Sequence, residues 1–233
     1  MKNPRALILG GFGLLFAIAI TSCTTAPTES HPEAKPAPVP TNETTSAAAN
    51  AEGSGTPVVL TPFFNVAGIY PDGVSFSDGL DGDGFVCSSN LLKSSQIWND
   101  TQFIFSPPRS GFNVISCAGQ TIPLPPGKFT KLQILATAVN GEQSQQNFTI
   151  NYSDASMNQT FTQTLSDWAS PDSNAGESVA STMGYRNQSD GSRDDNAFYL
   201  FGYSFDLKSS GTATSIKLPD NQDVKVFAIT LAP

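Results

Sequence analysis

Aromatic and polar side chains of the kind that bind sugars occur at three points of the sequence. Two of these points follow segments that alternate apolar and polar residues, and the third is a tryptophan in a polar segment. A sugar is bound by a flat apolar ring face and by planar hydrogen-bonding groups that contact its hydroxyls. The sequence therefore predicts a carbohydrate site, and the alternative is that the rings pack in the core and the aspartate caps a turn. The candidate ligand-binding residues are Trp98, Asp167, Trp168, Tyr185, Arg186 and Asn187.

Three carboxylates separated by glycines form a second candidate site. Asp78, Asp81 and Asp83 lie in the segment SDGLDGDG, and Ca²⁺ prefers oxygen ligands such as carboxylates. The spacing is not that of an EF-hand, because no glutamate stands near the twelfth position, and Asp-Gly pairs also form turns. The segment predicts either a calcium site or a set of turns. Calcium is the one cofactor that the sequence suggests, and the alternative is that the chain binds none.

Catalytic constellations are mostly excluded by composition. The single histidine, His31, lies before residue 57, so residues 57–233 hold none. A Ser-His-Asp triad, a Cys-His dyad and histidine-ligated zinc are therefore excluded there. A two-carboxylate glycosidase would have to use Glu142 and Glu177, the only glutamates in this range, and both lie in polar segments that we expect to be solvated. We therefore predict that the protein is not an enzyme.

The elements that would position these side chains are β-strands. Residues 148–152 and 160–165 alternate apolar and polar side chains on either side of the turn-forming segment SDASMN, which predicts a hairpin with one polar face. The segments 198–205 and 224–231 are apolar on both faces and should be central strands. With about ten short strands between turn residues, we predict an all-β fold, a single jelly-roll-like β-sandwich. An immunoglobulin-type sandwich is disfavoured because the Cys-Trp-Cys spacing is missing.

The N-terminus has the layout of a secretory signal. Lys2 and Arg5 precede a 15-residue apolar segment, residues 6–20, which is short for a membrane-spanning helix. The sequence Ile20-Thr21-Ser22-Cys23 that follows resembles the lipobox of bacterial lipoproteins. The resemblance implies cleavage before Cys23, lipidation of this cysteine with fatty acyl chains such as palmitate, and an extracytoplasmic protein held on a membrane. Thr24, where an aspartate would favour the inner membrane, implies the outer membrane or the cell surface. The alternative is an ordinary signal peptide cleaved near Ser22.

The composition divides the chain into three parts. Residues 1–22 form the predicted signal peptide, residues 23–56 a tether and residues 57–233 the sandwich domain. The tether consists mainly of Pro, Ala, Thr, Ser, Glu and Asn, and it should be disordered because it buries too little apolar surface. The domain carries 16 acidic and 9 basic side chains, a net charge of about −7, so nucleic acid is not an expected partner.

Two cysteines follow strand-like segments of the domain. Cys87 and Cys117 are its only cysteines, and disulfides persist in exported proteins. We therefore predict a disulfide between them, with two buried free thiols as the alternative.

Several segments resemble a β-sandwich module that many secreted bacterial proteins carry, often beside a glycoside hydrolase. These segments are FNVAGI (64–69) with Asp72-Gly73, GLDGDGF (79–85), ATAVNG (136–141), residues 161–168 ending in Ser166-Asp167-Trp168, and MGYRN (183–187). The resemblance covers about residues 63–231 and implies a galactose-binding-like, jelly-roll fold. We expect no catalytic domain beside this one, which would depart from the usual pattern of such modules.

Together these features lead to a functional hypothesis. We expect a membrane-anchored lipoprotein of the cell envelope whose β-sandwich binds an extracellular glycan without cleaving it. The alternative is a structural or protein-interaction lipoprotein, whose partner would be another envelope protein.

Overall fold

The computed structural model describes residues 54–106 and 111–233. The predicted signal peptide, the lipidation site Cys23 and tether residues 24–53 lie outside the described residues, so they stay predictions. Ser54 hydrogen-bonds Asp100 and bridges Thr101, which places the end of the predicted tether against the sandwich. No helix among the described residues is long and apolar enough to cross a membrane.

The described residues form sixteen strands, one short helix and two 3₁₀ turns. The helix is α1 (Ser89–Leu92), and the 3₁₀ turns are Thr61–Phe63 and Ala155–Met157. The strands are β1 (Thr56–Pro57), β2 (Ile69–Tyr70), β3 (Phe85–Ser88), β4 (Ser95–Trp98), β5 (Thr101–Ile104), β6 (Ile115–Ser116), β7 (Thr121–Pro123), β8 (Lys131–Ala138), β9 (Gln143–Tyr152), β10 (Gln159–Leu165), β11 (Glu177–Met183), β12 (Arg186–Gln188), β13 (Arg193–Asp194), β14 (Phe198–Asp206), β15 (Ala213–Lys217) and β16 (Val224–Ala232).

A six-stranded sheet forms the centre of the domain. Its order is β1-β16-β8-β14-β11, and β6 also pairs with β16. Every residue of β16 is buried, and seven of the eight residues of β8 are buried. Strands that are apolar on both faces need a layer on each side. The prediction that residues 198–205 and 224–231 are central strands is confirmed.

A four-stranded sheet, β10-β9-β15-β7, packs against one face of the central sheet. Phe148 and Ile150 of β9 point into this interface, and Phe148 packs on Phe205 of β14 with ring centroids 5.4 Å apart. The intervening residues of β9 are half-buried or exposed, as alternation requires. Strands β9 and β10 pair antiparallel, so the predicted hairpin is confirmed.

The other face of the central sheet is covered by smaller pieces. The β4–β5 hairpin and the mixed sheet β13-β12-β3-β2 supply Phe103 and Ile69 to a second core cluster, which includes Leu135, Leu200 and Phe227 of the central sheet. The predicted all-β sandwich is confirmed. The estimate of about ten strands was too low, because two-residue strands such as β2 and β13 are too short to show alternation.

The two cysteines of the domain are free thiols in different core clusters. Cys117 lies in the cluster between the two larger sheets, whereas Cys87 lies in the cluster on the opposite face of the central sheet. Burial raises the pKa of both thiols. The predicted disulfide is therefore wrong, because a bridge would have to pass through the central sheet.

Candidate functional site

Arg186 is enclosed by aromatic rings and carboxylates. Its guanidinium carbon lies 3.5 Å from the ring centroid of Phe85, 4.5 Å from that of Phe198 and 5.0 Å from that of Trp168. Two carboxylates also bind the guanidinium, Asp81 at 3.1 Å and Asp194 at 3.0 Å. Cation–π attraction and ion pairing act together in this box of five side chains, which we call the Arg186 box.

The Arg186 box removes Trp168 from the candidate sugar platform. Trp168 is only 2% exposed, and its ring packs on Phe198 with centroids 5.1 Å apart. A ring in this position offers no face to a sugar. Trp168 therefore follows the alternative of core packing, and it is not available as a sugar platform.

Tyr185 and Asn187 bind Asp72. The Tyr185 hydroxyl donates to Asp72 Oδ2 at 2.7 Å, and Asn187 Nδ2 donates to Asp72 Oδ1 at 3.0 Å. Ser88 and Asn90 donate to the same carboxylate at 2.5 and 2.8 Å. Asn187 is 1% exposed. These two predicted ligand-binding side chains therefore hold β12 to β3 and to the segment after β2.

The Asp72 network should make the fold sensitive to acid. Burial of Asp72 opposes its ionisation, but the four hydrogen bonds outweigh burial and lower the pKa of its carboxyl below the ordinary value. A carboxyl whose pKa is lower in the folded state stabilises the fold above its unfolded pKa of about 3.9, and this contribution is lost as the pH falls towards the folded pKa. We expect Asp72→Asn to narrow the difference between the free energies of unfolding at about pH 7 and about pH 3.

Urea denaturation at both pH values checks this expectation. The matched control is Asp206→Asn, because the Asp206 side chain is 83% exposed and, within residues 54–106 and 111–233, pairs with Lys131 alone. The control should keep the parent's difference between the two pH values. If the free energy of unfolding of Asp72→Asn changed between the two pH values as much as that of the parent, the acid sensitivity could not be assigned to Asp72.

Asp81 holds the SDGLDGDG segment in a turn. Asp81 Oδ1 accepts from the backbone N–H groups of Asp83 and Phe85 at 2.9 and 3.3 Å, while Oδ2 pairs with Arg186. Within residues 54–106 and 111–233, no group of three or more His, Cys, Asp or Glu side chains is arranged to hold a metal ion. The structure does not bring Asp78, Asp81 and Asp83 together as calcium ligands, since Arg186 already supplies the positive charge at Asp81.

Asp167 caps two turns, one after β8 and one directly after Asp167 itself. Its Oδ2 accepts from the N–H of Gly141 at 2.7 Å, and its Oδ1 accepts from the N–H of Ala169 at 2.8 Å. This is the turn-capping alternative to sugar binding. The carboxylate joins the turn after β8 to the segment after β10.

The two glutamates also hold the fold. Glu177 is half-buried and accepts from the N–H and hydroxyl of Ser166 at 2.9 and 2.6 Å and from the Tyr203 hydroxyl at 2.6 Å. Burial, with the Glu177 carboxylate beside it, raises the pKa of Tyr203. Glu142 is exposed and accepts from Asn174 at 3.0 Å. Glu177 is thus less solvated than its polar segment suggests, because it starts β11 beside a buried serine.

Trp98 is the one predicted platform that borders an open cleft. Its indole Nε1 donates to Ser178 Oγ at 3.2 Å, and the ring lies so close to Gly202 of β14 that a Cβ there would overlap it. The cleft has a volume of about 440 Å³. We call it the Trp98 cleft, and its lining residues are Trp98, Asn99, Gly176, Glu177, Ser178 and Ser204.

A two-residue turn positions the tryptophan and its neighbour. Asn99 and Asp100 have φ angles of 49° and 58° between β4 and β5, and positive φ at both central residues is typical of a type I′ hairpin turn. Gly202, Ser178 and Ser204 were not predicted as site residues. Gly202 does carry a local signal, because a glycine inside an apolar strand often marks the close approach of another group.

The described residues thus form a β-sandwich domain with a half-buried tryptophan at a polar cleft. The chain belongs to the AziU2-like β-sandwich domain family, whose model matches residues 54–233. The search of curated proteins found no match to this sequence. Membership of this family supports the predicted β-sandwich. It does not confirm the resemblance to modules that accompany glycoside hydrolases.

Proposed function

We propose that this protein is a lipid-anchored extracytoplasmic β-sandwich that binds carbohydrate without cleaving it, and that the glycan binds in the Trp98 cleft. The observation that carries the proposal is the position of Trp98, an aromatic ring fixed beside hydroxyl and amide groups at an open cleft. The lipobox-like segment ending at Cys23 supports the anchor, and Thr24 supports the outer membrane or the cell surface. The resemblance to hydrolase-appended modules supports the sugar.

The Trp98 cleft combines the two kinds of group that sugar binding needs. Contact with Gly202 and the hydrogen bond to Ser178 fix the indole, so little side-chain entropy is lost when a ligand stacks on it. Asn99, Ser178 and Ser204 are exposed and offer an amide and two hydroxyls for hydrogen bonds to sugar hydroxyls. The acidic net charge of the chain favours a neutral glycan over an anionic one.

A glycan-array screen of the purified full-length protein tests the proposal. We expect Trp98→Ala to weaken binding at least about tenfold, because a buried aromatic anchor carries much of the energy of a small interface. Ser178→Ala, which removes the hydrogen bond to the indole and leaves its packing on Gly202, should weaken binding less. The matched control is Phe112→Ala, since Phe112 is 56% exposed and does not line the cleft. A parent that melts cooperatively and binds no glycan would refute the proposal.

One observation favours the alternative of a protein-interaction lipoprotein. An apolar groove of about 280 Å³ lies beside the first strand, and Val59 and Ile104 are 72% and 50% exposed there. Contiguous exposed apolar surface is a feature of interaction sites. If the glycan screen fails, this groove becomes the surface at which an apolar segment of an envelope protein should be sought. Its lining includes Pro57, Val58, Val59, Leu60, Ile104 and Phe227.

A further inference from the structure

A lysine is buried in the central sheet. Lys225 of β16 is 5% exposed, and it is the one charged residue among the nine buried residues of that strand. Its Nζ donates to Ser116 Oγ at 3.0 Å. That hydroxyl is its one hydrogen-bond acceptor, and Lys225 forms no ion pair, within the part of the chain that the structure describes. An ammonium has three N–H donors, so two of them have no protein acceptor among the described residues.

Leaving these donors unused would be costly. Burying a charged group is unfavourable unless hydrogen bonds or opposite charges compensate for it. Burial lowers the pKa of Lys225, and the carboxylates of Asp223, Asp78 and Asp81 partly oppose this shift. Three carboxylates therefore act on the ammonium, although none of them forms an ion pair with it in the described residues.

The ammonium borders a polar cleft of about 500 Å³, which we call the Lys225 cleft. Two of its carboxylates retain free acceptors. Asp78 accepts no hydrogen bond in the described residues and is held at a φ of 85°, whereas Asp223 accepts from Asn140 Nδ2 at 2.9 Å through one oxygen. The third, Asp81, already binds Arg186. The polar lining includes Asn65, Asp78, Ser116, Asn140, Asp223 and Lys225.

The charges of the cleft select the kind of ligand. A simple anion would be attracted by Lys225 and repelled by Asp78 and Asp223. A simple cation would be attracted by the two carboxylates and repelled by the lysine. A molecule with a carboxylate and an ammonium close together satisfies both. None of the described residues that line the cleft is aromatic, so a sugar would find no ring among them on which to stack.

We propose that the Lys225 cleft binds a zwitterionic free α-amino acid. Its carboxylate accepts hydrogen bonds from the two free N–H donors of Lys225, and its ammonium donates to Asp78 and Asp223. The site is independent of the proposed carbohydrate site, because the Lys225 cleft and the Trp98 cleft share no lining residue.

Isothermal titration of the purified full-length protein with a panel of free L-amino acids tests the proposal. Each amino acid is compared with its N-acetylated form, which has no ammonium, and with its amide, which has no carboxylate. We expect the free form of at least one amino acid to bind, and either modification to weaken binding about tenfold or more, since each removes a charged hydrogen-bonding group.

Three variants connect the binding to the cleft. Lys225→Met and Asp78→Asn should each weaken amino-acid binding about tenfold or more. Lys217→Met is the matched control, because Lys217 is exposed on β15 and should leave binding unchanged. If Lys225→Met does not fold, Asp78→Asn decides, since Asp78 is exposed and asparagine tolerates positive φ.

Other outcomes overturn the proposal. Equal binding of the N-acetylated and free forms would define an anion site, and equal binding of the amide would define a cation site. Binding of polyols such as glycerol without amino acids would define a hydroxyl site. A folded parent that binds no member of the panel would show that the cleft holds only water. A failed glycan screen would leave the amino-acid site unaffected.

Discussion

Replacing Arg186 with methionine is expected to lower the free energy of unfolding by about 3–5 kcal/mol, the usual cost of removing one partner of a buried ion pair. The side chains of Arg186 and Asp81 are 17% and 6% exposed. The variant leaves the buried Asp81 carboxylate without its cation, and only the N–H groups of Asp83 and Phe85 remain to compensate its charge. It also removes the cation that Phe85, Phe198 and Trp168 share. Urea denaturation with a fitted m-value measures the change.

Two further variants show whether the unpaired carboxylate causes the loss. Arg193→Met is the matched control, because Arg193 is 51% exposed, lies 3.9 Å from Asp195 and 4.6 Å from the Tyr185 ring centroid, and should change stability by about 1 kcal/mol or less. Adding Asp81→Asn to Arg186→Met should recover part of the loss, because asparagine keeps an oxygen for the N–H groups of Asp83 and Phe85 and removes the charge. An Arg186→Met variant as stable as the Arg193→Met control would contradict the stabilising role of the Arg186 box.

The Arg186 box shows why the candidate site was only partly predictable. Phe85, Trp168 and Phe198 are far apart in the sequence, and no local pattern indicates that they converge on one guanidinium. Aromatic rings and arginine also serve sugar binding, so residue type alone does not distinguish the two arrangements. The two arrangements differ only in whether the rings are buried, and this depends on which layers of the fold pack together.

The fold was more predictable than the site because alternation is a local property. In residues 148–152 the pattern fixes which side chains face the core, and in 224–231 continuous apolar character indicates two buried faces. Alternation does not tell which of two core layers a side chain enters. Cys87 and Cys117 follow similar segments and enter different layers, which is why the disulfide prediction failed.

Asn113 has a structural role that its local sequence does not indicate. It is 1% exposed and lies before two buried apolar residues. Its Oδ1 accepts from the N–H groups of Gly68 and Ile69 at 2.8 and 3.0 Å, and its Nδ2 donates to the carbonyl of Ile69 at 2.7 Å. The Asn113 side chain thus forms the hydrogen bonds that a neighbouring strand would otherwise form with this edge of the two-residue strand β2. A polar residue beside apolar ones gives no local sign of this role.

We expect Asn113→Ala to lower the free energy of unfolding by at least about 3 kcal/mol, because it leaves two N–H groups and one carbonyl buried without partners, each costing about 1–3 kcal/mol. Asn113→Asp should not restore the stability, since a carboxylate cannot donate to Ile69 and brings a charge into the core. The matched control is Asn147→Ala on exposed β9 surface, which should cost less than about 1 kcal/mol.

Hydrogen exchange locates the effect of Asn113→Ala within the fold. The amides of Gly68 and Ile69 should exchange faster in this variant by more than the global loss of stability accounts for, while amides of β8 and β16 should follow the global change. Unchanged protection at Gly68 and Ile69 would show that water or the backbone replaces Asn113. Selective loss of protection would show that the sheet β13-β12-β3-β2 is held at its β2 edge by a side chain. Arg186 and the Asp72 network belong to the same sheet, so its attachment would depend on buried polar groups as well as on apolar contact.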